Sequence, residues 1–133
     1  MVSPNEFRLG NYLLQKVNNR ILPARCNWSH FELMAGGRVQ DLFPVVLQAL
    51  YLEKCGFVEN MKYPLLPAAR QFILVLPVGS SGDHEVHAFV KNNKECFARL
   101  MVNNIPSSNP IYHVHQLQNL YYSMVGKEMV FSL

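Results

Sequence analysis

The sequence predicts an α+β fold: a small N-terminal β meander, a central helix, a second antiparallel sheet and a C-terminal helix packed on that sheet. Three observations carry this. Residues 8–43 break into short apolar stretches separated by Gly10, Asn18-Asn19 and Gly36-Gly37, the pattern of strands joined by tight turns. Residues 44–57 change to helical spacing, with Val46, Leu47, Leu50 and Tyr51 on one side and Cys55-Gly56 as a stop. Residues 109–126 open on Asn109-Pro110, carry a helical apolar stripe and close on Gly126.

In the meander, residues 11–17, 21–26, 29–35 and 38–42 read as four short strands that curl into a barrel-like unit. Asn18-Asn19 suits a turn with positive φ. The central helix is expected over residues 45–54, with Pro44 just before it and no good N-cap, because Val46 and Leu47 offer no side-chain acceptor. Residues 61–69 hold Pro64 and Pro67 and should form an irregular connector or an edge. The second sheet spans residues 70–102. The apolar run Gln71-Phe72-Ile73-Leu74-Val75-Leu76, the flexible turn at 79–83 and strands over 84–90 and 95–102 make it antiparallel. In the last helix Val114, Leu117, Leu120, Tyr121, Met124 and Val125 fall on one side, and His113 lies at its margin.

A chain of 133 residues has the length of one domain. Half of its residues are hydrophobic and only 16% charged, which excludes disorder and predicts an exposed apolar patch for a partner or for self-association. The net charge of +3 comes from scattered basic residues, so nucleic-acid binding is possible but unsupported. Cys26, Cys55 and Cys96 lie far apart in apolar surroundings and read as buried free thiols of a reducing compartment. With no signal-peptide pattern and no run of membrane-helix length, a cytoplasmic location without membrane insertion is expected.

The most distinctive surface is the polar side of the last helix. His115, Gln118, Asn119 and Tyr122 gather there at i, i+3, i+4 and i+7, and neither Lys nor Glu occurs over residues 109–126. Amide and imidazole groups form directional hydrogen bonds without a large charge to desolvate. These four are the contact-face candidates. His113 and His115 would share an ion on a strand, but on a helix their rings point about 200° apart, which argues against a metal. His84, Glu85 and His87 form a second cluster: along a strand Glu85 and His87 share a face, while His84 turns the other way. The nucleophile-elbow and phosphate-loop patterns are absent, and no catalytic residue and no cofactor are expected.

The segment Val114-His115-Gln116-Leu117-Gln118-Asn119-Leu120-Tyr121-Tyr122, followed by Gly126-Lys127-Glu128-Met129, resembles the C-terminal signature of a family of small uncharacterised proteins from Bacteroidetes genomes and their phages and prophages. Arg8-Leu9-Gly10-Asn11-Tyr12 is similar to that family's opening motif. Pro44-Val45-Val46-Leu47, with Leu52 and Lys54-Cys55-Gly56-Phe57, is similar to its central helix and stop. The family usually has an aromatic at His113, Pro at Val46, Thr at Gln48 and Val125, and Glu at Lys127. The resemblance implies a fold and a genomic setting, and no reaction.

Three functional readings follow. The first is a non-enzymatic protein-interaction module of phage or mobile-element origin, acting through a partner or as a homo-oligomer. The alternative is a small nucleic-acid-binding protein, with Arg20, Arg25, Arg38 and Trp28 as contacts, because phosphate pairing and base stacking need those residue types. A metal-dependent hydrolase centred on His84, Glu85 and His87 ranks last.

Overall fold

A computed structural model of the chain describes residues 5–61, 69–78 and 83–131. These residues form an α+β fold with two antiparallel sheets and three helices. Strands β1 (Tyr12–Val17), β2 (Arg20–Arg25) and β3 (Leu42–Phe43) form a sheet in the order β2-β1-β3. Strands β4 (Val58–Asn60), β5 (Ala69–Val75), β6 (His84–Lys91), β7 (Cys96–Val102) and β8 (Ile105–Pro106) form the second sheet in sequential order. Helix α1 (Trp28–Ala35) lies between β2 and β3, α2 (Ala49–Lys54) between the sheets, and α3 (Val114–Val125) after β8.

The turns behave as their residues require. Asn18 and Asn19 have φ of 50° and 62° and close the β1–β2 hairpin, and Asn103 and Asn104 repeat the arrangement between β7 and β8. Gly126 ends α3 at φ 78° and donates its N–H to the Tyr122 carbonyl.

Strand β1 is covered on both faces, so consecutive residues enter different cores. Tyr12 belongs to the main core, with Leu47, Leu52, Phe72, Val86, Ala88, Ala98, Val114 and Leu117. Leu13 belongs to a smaller one with Phe7, Cys26, Met34 and Leu42, beneath α1. The main core is the inner face of the five-stranded sheet roofed by α3, as the apolar stripe requires.

Four expectations are corrected. Residues 29–35 are not a strand but α1, and the barrel-like meander gives way to three strands backed by a helix. Asn27 caps that helix, its Oδ1 accepting from the backbone N–H of Ser29 and His30 while His30 Nδ1 accepts from Asn27 N–H. The strand expected over 38–42 shrinks to β3. The central helix begins at Ala49 rather than 45, because residues 45–47 are extended against the approach to α3: Leu47 N–H donates to Tyr112 O and Val114 N–H to Val45 O, at 2.9 and 2.8 Å. Finally α3 begins at Val114, with His113 rather than Asn109 as N-cap, since Ile111 exchanges two backbone hydrogen bonds with Ala98. The connector expected over 61–69 and the turn over 79–83 fall mostly outside the described residues.

Candidate functional site

The polar side of α3 is a seam inside the chain. His115 and Gln118 are 1% and 3% exposed, which corrects the expectation that they form a free face. Gln118 Oε1 accepts the backbone N–H of Tyr12 at 2.8 Å. Asn119 Oδ1 accepts from Arg8 Nε at 2.8 Å, and its Nδ2 donates to Glu6 O at 2.9 Å. The Arg8 guanidinium also pairs with Glu128 and lies 4.3 Å from the centre of the Tyr122 ring. The amides therefore serve the N-terminal backbone, whose first strand they dock on the helix. The opening and closing motifs singled out in the sequence meet here.

His115 is the odd member. Phe7 stacks on it with centroids 4.0 Å apart, and the His113 ring lies nearly parallel to it at 5.7 Å. The two imidazoles are nearly parallel because His113 is the extended N-cap and not a helical residue, so the argument that a helix turns them apart does not apply. Neither ring nitrogen of His115 has a hydrogen-bond partner. Glu6 Oε2 stands 3.9 Å from Nε2, too far for a hydrogen bond, and its side chain is half exposed. Burial, with a smaller contribution from His113, pushes the His115 pKa down to about 4.

Beside this seam is a shallow groove of about 420 Å³ lined by Arg8, Leu9, Trp28, Phe31 and Tyr122. Trp28, at the start of α1, is 71% exposed, with Leu9 at 45% and Tyr122 at 44%. The fold thus joins Tyr122 of the α3 candidates to Trp28 of the nucleic-acid candidates, and adds Leu9 and Phe31. Helical spacing in residues 28–35 would have put Trp28 and Phe31 on one face, but only once that stretch is read as a helix.

The basic candidates are dispersed. Arg20 and Arg25 are five residues apart in β2 and point to opposite faces. Arg25 lies over the Tyr12 ring and donates to its hydroxyl at 3.0 Å. Arg38 follows α1, outside any strand.

The third cluster lies on the outer face of the second sheet. Glu85 and His87 share that face, and His84 points to the other side. Asn60 Nδ2 donates to Gln71 Oε1 at 2.9 Å, Gln71 Nε2 to His87 Nδ1 at 3.2 Å, and His87 Nε2 to Glu85 Oε1 at 3.1 Å. Once Gln71 Oε1 accepts, its amide can only donate, which makes Nδ1 the acceptor and puts the proton on Nε2. Both imidazole nitrogens are thereby occupied, and His87 has none left for a substrate or an ion. Among the described residues, no group of three or more His, Cys, Asp or Glu could hold a metal. Cys26, Cys55 and Cys96 are buried and unpaired, and burial raises Cys55 to about 12 and Cys96 to about 11, far from a reactive thiolate. Among the described residues, no helix is long and apolar enough to cross a membrane.

Comparison with protein-family models, with curated proteins and with solved structures finds no match for this chain.

Proposed function

We propose that the chain is a non-enzymatic protein-interaction module, acting through a partner or as a homo-oligomer, in the phage or mobile-element setting that the resemblance implies. One observation carries the reading: the indole of Trp28 stands in water at the rim of a groove formed by Leu9, Phe31, Tyr122 and Arg8. Trp, Tyr and Arg are the residues that most often dominate binding energy between proteins, and they do so when a partner desolvates them. A chain with only 16% charged residues has few other means of keeping such a surface wet. The closed His87–Glu85 pair and the buried thiols support a role without catalysis. The nucleic-acid alternative has less support, because Arg8 and Arg25 are engaged by Glu128 and Tyr12.

Trp28 is the only tryptophan, so its fluorescence reports on the groove. Covering it should move the emission to shorter wavelength, together with a rise in mass by sedimentation or the recovery of a partner by affinity purification. Trp28→Ser should abolish the rise in mass or the recovery of the partner without loss of thermal stability, since the ring is exposed. A strictly monomeric protein with constant emission, and a Trp28→Ser variant that recovers the same proteins as wild type, would together refute the proposal.

A further inference from the structure

The outer face of β6 and β7 ends in a recess of about 460 Å³ that shares no residue with the groove around Trp28. Strand alternation sends Lys91 of β6 and Phe97 and Arg99 of β7 to this face. Val46, Pro110 and Tyr112 form the facing wall, held there by the pairing of Ile111 with Ala98 and of Val46 with His113. Phe89, Phe97 and Tyr112 follow one another with ring centroids 5.3 and 6.5 Å apart. Tyr112 is 52% exposed, so one side of this aromatic row is open.

The cations of the recess are unequally satisfied. Lys91 Nζ lies 3.6 Å from Glu95 and 5.7 Å from the centre of the Phe97 ring. Arg99 has no partner: its Nε is buried without an acceptor, and among the described residues no carboxylate lies within ion-pairing distance. A guanidinium keeps its charge at every physiological pH, and a buried donor without an acceptor is costly. A bound anion would offset the charge of the guanidinium that lines the recess. Two cations face one carboxylate, Glu95, which leaves one positive charge in excess.

We infer that this recess binds a nucleoside phosphate, the phosphate accepting from Arg99 and Lys91 and the base lying against Phe97 and Tyr112. The planar fork of arginine matches phosphate oxygens in pairs, and any nucleobase offers a face to an aromatic side chain. The volume lies within the range of small-ligand sites. Inorganic phosphate would use the cations and leave the rings idle.

The test is calorimetric titration of the full chain at low salt with adenosine, guanosine, cytidine and uridine 5′-monophosphates. At least one should bind, more tightly than inorganic phosphate. Arg99→Gln should weaken it by about tenfold or more, the scale of a lost charge-assisted hydrogen bond. Tyr112→Ala, at an exposed position, should weaken it without unfolding the chain, so a folding defect in Arg99→Gln would not rescue the idea. Absence of binding at about 5 mM nucleotide, or binding that survives both substitutions, would overturn the proposal. So would phosphate binding as tightly as the nucleotide. A single-stranded oligonucleotide that binds much more tightly than its mononucleotide would overturn the assignment to a free ligand.

Discussion

Replacing His115 by Phe should flatten the loss of stability in acid. His115 is fully buried beside Phe7 and His113, and both of its nitrogens lack a hydrogen-bond partner. The folded-state pKa of about 4 against an ordinary 6.5 means that the unfolded chain binds a proton more readily than the folded one. Stability from this group is therefore complete above pH 6.5, declines as the pH falls, and is fully lost only below about 4. The whole difference is about 3 kcal/mol, of which about 2 kcal/mol disappears between pH 7 and 4.5. For a chain of this size that corresponds to roughly 8 °C in Tm. Carboxylates titrate in the same window, so the quantity to measure is the difference between wild type and His115→Phe in urea or thermal denaturation from pH 4.5 to 7.5. Phe keeps the stacked geometry, and any cost of its extra bulk is independent of pH and cancels from the slope. The variant should gain about 2 kcal/mol on wild type as the pH drops. Parallel profiles would show that His115 titrates normally, and that its burial does not cost what the geometry implies.

Two further substitutions test the seam and the first helix. Gln118→Met keeps the volume but removes the acceptor for Tyr12 N–H, and should destabilise by about 1–3 kcal/mol in urea denaturation at constant m-value; an unchanged midpoint would mean that the N-terminal strand is not docked through this bond. Asn27→Ala removes the side-chain acceptor at the start of α1 and should cost about 1 kcal/mol, with a small loss of helical circular dichroism. Full retention of stability would count against the capped helix.

Local stereochemistry was the legible part. The asparagine pair at 18–19 and Gly126 demand positive φ, and they have it wherever the rest of the chain lies. Strands β5, β6 and β7 follow from apolar runs bounded by turns, because each run is long enough to carry its own pattern. The helix at 28–35 is not legible in the sequence although its cap is local, because its N3 residue is His30, which takes the place usually held by Glu or Gln. The late starts of α2 and α3 were not legible. Val45, Val46, Ile111 and His113 are extended because they pair with each other's segments and with β7, contacts that no short window contains.

The polar side of α3 divides along the same line. Its composition is local, and the directional contacts of its amides follow from the residue types, whereas the His115 imidazole makes no hydrogen bond. Which surface they meet is not local. Gln118 binds Tyr12 and Asn119 binds Arg8 from the opposite end of the chain, so half of the face is sealed and only Tyr122 reaches a groove. The groove beside Trp28 and the recess beside Arg99 exist only because distant segments are brought side by side. Residue chemistry and turn geometry act over three or four positions and can be read in order along the chain. Whether a side chain faces water or its own backbone depends on long-range pairing, which only the folded arrangement decides.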